Sequence, residues 1–331
     1  MKQQMKYTLW MMMIAAAMGL TAGCTMAPKS SSAKTQEATE LTEQASAVME
    51  MGNLELAMEL FQEALAKDHE NVDAHIGIGD LHQMTGNYVE AAREYKAARD
   101  LKPNSYDANF KLGLAYHLLN RLRDAIRTYL TALTINPSSM EANLNLATAY
   151  LQIGEPRLAL PYAQRAVELD PDHQPARVNL GAIYAALGQH DKALTQYRTV
   201  EANAGELDEH VAVNLATAEL KSGSPQKAVE LLTKLIKTNP TATYYERLGY
   251  AQYKLENLDA SQEAYEQALK LDDENTAALN GLGVNLMTRY IQSDRTDLKL
   301  RNRAVTAWQK SVRLNLDQPK ILDLISRYSR L

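Results

Sequence analysis

Small and aromatic residues recur along the chain with a period of 33 to 35 residues. Units with this pattern begin at residues 38, 72, 106, 140, 174, 209, 242 and 276. The eighth residue of each unit is glycine or alanine: Ala45, Gly79, Gly113, Ala147, Gly181, Ala216, Gly249 and Gly283. Twelve residues later the first seven units again carry a small residue: Ala57, Ala91, Ala125, Ala159, Ala193, Ala228 and Ser261. A fixed period of this length is typical of proteins built from stacked repeats.

Each unit is predicted to be a pair of antiparallel helices. A glycine inside a helix costs about 1 kcal/mol relative to alanine, yet five units place one in the middle of their first helix. Close packing against the second helix would offset this cost, and the twenty-fourth place supplies a large ring to fill the space: Phe61, Tyr95, Tyr129, Tyr197, Tyr265 and, after a stretch in the last unit, Trp308. Prolines then end four of the second helices: Pro103, Pro137, Pro171 and Pro240.

These positions resemble the tetratricopeptide repeat, and the resemblance covers residues 38–316. It implies an all-α fold, a right-handed superhelix (α-solenoid) of about eight helical hairpins whose concave groove binds protein or peptide segments. Residues 317–331 follow the last repeat and are expected to form a capping helix. The helical spacing of its apolar residues supports that expectation: Ile321, Leu324, Ile325 and Tyr328.

The resemblance also predicts a ladder of polar side chains in the groove. The sixth position of each unit faces the concave side in this family. From the third unit onward it holds Lys111, Asn145, Asn179, Asn214 and Arg247. An asparagine amide both donates and accepts, which suits the backbone of an extended ligand. The alternative is that asparagine is simply frequent here in the family and contacts no ligand.

An apolar strip is expected beside this ladder. The fifth position of the same units holds Phe110, Leu144, Val178 and Val213. Such a strip would suit a client helix or an extended hydrophobic peptide. These side chains would otherwise pack into the cores of the repeats.

The eighth unit is longer than the others. Gly283 and Ala304 stand 21 residues apart instead of 12, and the extra residues fall within an insertion at 288–303. This segment has five basic residues and two aspartates in a chain whose net charge is −5. It would suit an acidic partner or lipid headgroups, or it forms a longer solvent-exposed loop.

The N-terminus has the proportions of a secretory signal peptide. Lys2 and Lys6 precede an uncharged apolar run over residues 8–20. Thirteen residues are too few for a permanent membrane span, which needs about 20. We therefore predict a signal peptide at residues 1–23.

Cys24, the only cysteine, follows this segment and has no partner for a disulfide within the chain. The stretch "LTAGC" resembles the lipobox of bacterial lipoproteins, which implies cleavage before Cys24 and lipidation of its side chain. With Thr25 rather than aspartate next, the resemblance implies a Gram-negative outer membrane and a periplasm-facing protein. Secretion without a lipid and an incidental cysteine are the alternatives. Residues 24–37 would then be the lipidated cysteine and a flexible tether.

Other classes of function find little support. The acidic balance and the lack of a basic patch argue against nucleic-acid binding. His75 and His82 lie on one predicted helix without an HExxH motif or a cysteine pair, so we expect no metal site. No catalytic motif is present, and we expect no cofactor and no enzyme.

The combination of a lipobox with tetratricopeptide repeats resembles the lipoproteins of tight-adherence (Flp) pilus assembly and the pilotins of type IV pili. It implies a scaffold that holds envelope components while a pilus or secretion machine assembles. The alternative is an adaptor for peptidoglycan hydrolases or a periplasmic protease. Homo-oligomerisation is left open.

Overall fold

The computed structural model describes residues 31–203 and 207–329, and within these ranges the chain consists of helices and short turns without a strand. The all-α prediction is therefore confirmed. The chain divides into two compact units, of which the first ends at Pro103 and the second begins at Asn104. None of the described helices is long and apolar enough to cross a lipid bilayer.

The first unit contains two helical hairpins. Its helices are α1 (Ser31–Glu50), α2 (Leu54–Lys67), α3 (Val72–Met84) and α4 (Tyr88–Leu101). Phe61, fully buried, packs with small residues of α1 and α3 in the core of this unit. Each hairpin therefore buries its apolar face partly against its neighbour, as expected of stacked repeats.

The second unit contains six hairpins and a terminal helix. Its helices are α5 (Tyr106–Leu118), α6 (Leu122–Ile135), α7 (Met140–Gln152), α8 (Pro156–Leu169), α9 (Gln174–Ala186), α10 (His190–Asn203), α11 (Glu209–Lys221), α12 (Pro225–Thr238), α13 (Ala242–Lys254), α14 (Leu258–Leu271), α15 (Thr276–Gln292), α16 (Leu298–Leu314) and α17 (Pro319–Tyr328). Successive helices pack against each other, and the first helices of neighbouring hairpins also touch. The first helices thus lie side by side.

Side-chain caps and left-handed turns set the helix boundaries. Ser139, for example, accepts a hydrogen bond from the backbone N–H of Ala142 at 3.0 Å and so caps α7. At the end of α3 the chain turns through Gly86, whose φ is +78°. The backbone N–H of Asn87 then donates to the carbonyl of His82 at 2.8 Å. This Schellman arrangement satisfies the last carbonyls of the helix and starts the return helix.

The predicted pairing of glycine with an aromatic ring is confirmed. A Cβ atom added to Gly113 would lie 2.7 Å from Cδ1 of Tyr129, and one added to Gly181 would lie 2.7 Å from Cε1 of Tyr197. Gly283 stands against the indole of Trp308 in the same way. Two helices of one hairpin approach closely because the ring occupies the place of a side chain.

The tether expected at residues 24–37 differs from the structure in its second half. Residues 24–30 lie outside the described residues, whereas residues 31–37 form the first turns of α1. Glu37 pairs with Lys67 of α2 at 2.9 Å, and Ala38 is fully buried. These contacts extend the helix beyond the repeat boundary, although serines and charged residues alone favoured a flexible segment.

The insertion at 288–303 lengthens two helices, so the expectation of a longer loop is wrong. Both α15 and α16 have 17 residues, and only residues 293–297 connect them. Leu286 and Tyr290 are buried and continue the apolar face of α15 by one more turn. Asp297 then caps α16 by accepting from the backbone N–H of Lys299 at 3.0 Å.

Helix α17 lies against the last hairpin. Its apolar residues pack on the core formed by α15 and α16: Ile321, Leu324, Ile325 and Tyr328. On the other side of the helix Leu322 is exposed. The amphipathic pattern thus directs one face of α17 onto the final repeat.

Candidate peptide-binding groove

The candidate site is a groove formed by the first helices of three successive hairpins. Helices α7, α9 and α11 lie side by side. Positions 5, 6 and 9 of α7 and α9 line the groove together because residues three and four apart are neighbours on a helix, whereas α11 contributes Val211 near its start. The groove has a volume of about 560 Å³. Its lining includes Leu144, Asn145, Thr148, Pro175, Val178, Asn179, Ala182, Leu207 and Val211.

A hydrogen-bond relay fixes the polar side chain in the middle of this groove. Asn179 donates from Nδ2 to the hydroxyl of Thr148, one repeat earlier, at 3.0 Å. Thr148 in turn donates to the carbonyl of Leu144 at 2.9 Å. The amide group of Asn179 is therefore held in one orientation, with one of its two N–H donors used inside the protein.

The carbonyl oxygen of the same side chain has no such partner. Oδ1 of Asn179 is buried, and no described residue donates to it. A buried acceptor without a hydrogen bond is costly, by roughly 1 to 3 kcal/mol. Asn179 lines the groove, so a backbone N–H of a bound segment that reaches Oδ1 would satisfy this acceptor.

The relay recurs two repeats later. Arg247, on α13, donates to the hydroxyl of Thr217 at 2.6 Å, and Thr217 donates to the carbonyl of Val213 at 2.7 Å. In both cases a sixth-position side chain binds a ninth-position threonine of the preceding hairpin. The ladder residues therefore also brace adjacent repeats. Sequence reasoning missed the two threonines, although their shared ninth position was a signal.

The predicted site residues separate into two groups. Leu144, Asn145, Val178 and Asn179 converge in the groove. Asn214 and Arg247 lie on α11 and α13, and Lys111 lies half-buried on α5.

The apolar strip is interrupted, because two of its predicted members are packed into the repeats. The ring of Phe110 stacks on Tyr106 at 5.6 Å between centroids and lies 6.0 Å from the ring of Tyr129. Val213 packs against the core that contains Ala216 and Leu220. The core interpretation fits these two residues. Val178 also packs against a core, the one that contains Leu180 and Tyr184, and it lines the groove together with Leu144.

The histidines considered as metal ligands are placed differently. His75 forms a hydrogen bond from Nδ1 to Glu94 at 2.8 Å, across the hairpin of α3 and α4. Among the described residues no three histidine, cysteine or acidic side chains lie close enough together to hold a metal ion. His75 thus has a structural partner within its own hairpin.

Comparison with known families agrees with this geometry. Three models of the tetratricopeptide repeat match the chain, one over residues 85–139 and 144–206, another over 48–111 and a third over 242–275. Together they cover more than half of its length. No curated protein sequence matches the chain.

Several solved structures share the fold. A tetratricopeptide repeat protein from Parabacteroides merdae is 19% identical, with 76% of this chain and 99% of that protein covered and a TM-score of 0.53. PilF of Pseudomonas aeruginosa is 17% identical over 67% of this chain and 99% of its own, with a TM-score of 0.55. PilW, a widely conserved type IV pilus biogenesis factor, is 23% identical over 64% and 96%, with a TM-score of 0.54. At these identities the likeness shows a common fold.

Proposed function

Because the chain is built from tetratricopeptide repeats, we propose that it is a scaffold whose groove holds an extended segment of another envelope protein. A lipid on Cys24 would tether it to the periplasmic face of an outer membrane. Its role would be to assist the assembly of a pilus or secretion machine. The observation that carries the proposal is the groove at α7, α9 and α11 with its buried, unpaired acceptor at Asn179.

The dimensions of the groove favour an extended segment. Neighbouring helices pack about 8 to 10 Å apart, and an extended chain advances about 3.3 Å per residue. About three ligand residues would therefore pass each repeat. Alternate side chains could contact the apolar wall at Leu144 and Val178 while a backbone N–H reaches Oδ1 of Asn179.

A binding role is favoured over a catalytic one by the same lining. Its polar side chains are three amides, the hydroxyl of Thr148 and the carboxylate of Asp208, and neither histidine nor cysteine is among the lining residues. These groups can recognise a backbone, but they do not form a nucleophile with an adjacent general base. We therefore propose no enzymatic activity.

The choice of a pilus or secretion machine has narrower support. PilW is a type IV pilus biogenesis factor that shares this fold, and the lipobox resemblance supports a location in the cell envelope for this chain. An adaptor for peptidoglycan hydrolases or a periplasmic protease would use the same groove. The two roles differ in the protein that is bound.

Site-specific photo-crosslinking in native membranes tests the proposal. A benzoyl-phenylalanine at Val178 is expected to capture a defined pilus or secretion component, identified by mass spectrometry. The same group at Glu230, exposed on α12, serves as the matched control. An Asn179→Leu substitution should weaken the capture, because the acceptor for the client backbone is lost.

Two results would decide against this function. Capture of cell-wall hydrolases or a protease would support the adaptor instead. Equal crosslinking from Val178 and Glu230, or capture that is indifferent to Asn179→Leu, would remove the groove as the client site.

A further inference from the structure

A second cavity opens on the same face of the first helices, between α13 and α15. It has a volume of about 240 Å³, which suits one side chain. Three tyrosines contribute to its walls together with a carboxylate and an amide. The lining residues that matter here are Glu246, Tyr250, Tyr253, Tyr265, Asn280 and Gly281.

The aromatic walls are fixed by their own contacts. The hydroxyl of Tyr253 lies 3.1 Å from that of Thr288. Thr288 donates its proton to the carbonyl of Val284 at 3.0 Å, so Tyr253 is the donor of the first bond. Tyr265 is buried and reaches the cavity past Gly281, where any Cβ atom would collide with its ring. The cavity is therefore preformed.

Two of the polar side chains that line the cavity, Glu246 and Asn280, offer acceptors. No described residue lies within hydrogen-bond or ion-pair distance of the Glu246 carboxylate. Burial raises the pKa of Glu246, and the positive charges of Arg247 and Lys221 oppose that shift. Asn280 donates from Nδ2 to Gln318 at 2.6 Å, which leaves its buried Oδ1 without a donor.

The neighbouring cations do not neutralise the carboxylate by direct contact. Arg247 donates to Thr217. Nζ of Lys221 and that of Lys254 each lie 5.9 Å from the centroid of the Tyr250 ring, at the outer limit for a cation–π contact. The cavity thus combines aromatic faces, one carboxylate and one amide oxygen that still lack a donor.

We propose that this cavity binds an arginine side chain of the client segment. The inference rests on the proposed function and adds a chemical requirement for the client. A guanidinium has five donors and accepts none, stacks on aromatic faces and pairs with a carboxylate through two parallel bonds. A lysine would supply the charge but only a point contact. Helices α13 and α15 continue the row of first helices beyond α11, so one client could fill both sites.

Small peptides test the cavity without the client. Capped Gly-Arg-Gly, Gly-citrulline-Gly and Gly-Lys-Gly would be titrated into the purified full chain, with binding followed by NMR of the tyrosine rings. Citrulline keeps the shape of arginine and lacks its charge. We expect arginine to bind at least tenfold more tightly than citrulline, and more tightly than lysine, with shifts at Tyr250, Tyr253 and Tyr265.

Variants assign the effect to the cavity. Glu246→Gln should abolish the preference for arginine over citrulline, whereas Glu230→Gln, at an exposed glutamate of α12, should leave it unchanged. Lys221→Met should strengthen arginine binding a few-fold, because a nearby positive charge is removed.

Several outcomes would overturn the inference. They are equal binding of arginine and citrulline, an arginine preference that survives Glu246→Gln, and no binding at tens of millimolar peptide. Arginine binding only after Lys221→Met would show that Lys221 occupies the cavity itself. Failure to crosslink an envelope protein from Val178 would instead count against the proposed function, since the peptide assay needs no client.

Discussion

Single glycines in the first helices are matched to single aromatic rings, and this match reverses the usual effect of a substitution. In an exposed helix, replacing glycine by alanine stabilises by up to about 1 kcal/mol. At Gly181 the new methyl group would lie 2.7 Å from the ring of Tyr197, which is only 1% exposed, so one of the two helices or the ring itself would have to shift. The sign of the change is therefore set by packing.

We predict that Gly181→Ala lowers the free energy of unfolding by roughly 1 to 3 kcal/mol, the usual cost of overpacking a core. Urea denaturation followed by circular dichroism would measure it. In a Tyr197→Leu background the same substitution should cost less, because the ring is gone. A Gly181→Ala variant as stable as the parent would show that the ring does not fill this space.

At one turn, a residue other than glycine adopts a backbone conformation that favours glycine. Glu256 adopts a φ of +62° at the turn between α13 and α14, where most other hairpins have glycine, as at Gly86. The left-handed conformation costs an ordinary residue about 1 to 2 kcal/mol. The side chain of Glu256 is exposed and has no packing role that would offset this cost.

Glu256→Gly should therefore raise the free energy of unfolding by about 1 kcal/mol. The matched control is Glu263→Gly, at an exposed position inside α14, which should lower it by about 1 kcal/mol. Equal effects of the two substitutions in urea denaturation would contradict the assignment of strain to Glu256.

At the scale of elements, α3 and α4 are joined by an ion pair whose strength depends on pH. The hydrogen bond to Glu94 raises the pKa of His75, and the bond from His75 lowers the pKa of Glu94. A raised histidine pKa contributes stability that is lost as pH rises through the folded-state value. A lowered glutamate pKa contributes stability that is lost as pH falls through its folded-state value. Both contributions are complete between the two ordinary values, about 4.5 and 6.5.

We predict that amide protection in α3 and α4 is greatest near pH 5 to 6 and falls on both sides, by roughly 1 kcal/mol in total. Hydrogen exchange, corrected for the intrinsic rate at each pH, would measure this. His75→Gln should flatten the profile and His82→Gln should not. An unchanged profile in His75→Gln would exclude this pair as the cause.

The elements themselves could be predicted from the sequence because small residues, aromatic residues and prolines mark each hairpin independently. Where the predicted boundaries differ from the structure, the sequence lacks these residues. Residues 31–37 join α1 through a pairing of Glu37 with Lys67, 30 residues away, which no local pattern reveals. In the eighth unit, the helical spacing of Leu282, Leu286 and Tyr290 favours a longer helix. The basic residues of the insertion favour a solvent-exposed loop instead, and the two patterns conflict.

The groove could be predicted only in part for a related reason. The sixth-position column includes Asn145 and Asn179, which line the groove, but it cannot tell which amide atoms form hydrogen bonds inside the protein. In the structure, Nδ2 of Asn179 donates to the hydroxyl of Thr148, which leaves Oδ1 as the atom without a partner among the described residues. The fifth position likewise changes from Val213 to Glu246 in the next unit. The sequence alone does not show that Glu246 lies beside three tyrosines in one cavity.

For the whole molecule, the lipid anchor is the prediction with the largest consequence for where the protein acts. Stable attachment to a membrane takes more than one acyl chain, each contributing about 0.8 kcal/mol per buried methylene. If Cys24 carries these chains, removing its sulfur should release the protein.

Cys24→Ser should therefore move the chain from the membrane to the soluble fraction. Met26→Ala, two residues away, should remain membrane-bound. Immunoblots of fractionated cells would measure this, and membrane association that persists in Cys24→Ser would exclude lipidation as the anchor.

Gly79 and Tyr95 belong to one repeat of about 34 residues, and Gly113 and Tyr129 belong to the next. A tandem duplication of the corresponding coding segment would thus add a hairpin that already contains both the glycine and the aromatic ring that packs against it. Chain length can consequently change in whole steps over evolution without new compensating mutations inside each step. The length of the row of first helices, and so of the surface available to a client, would change with every such event. The interior of each hairpin would stay the same.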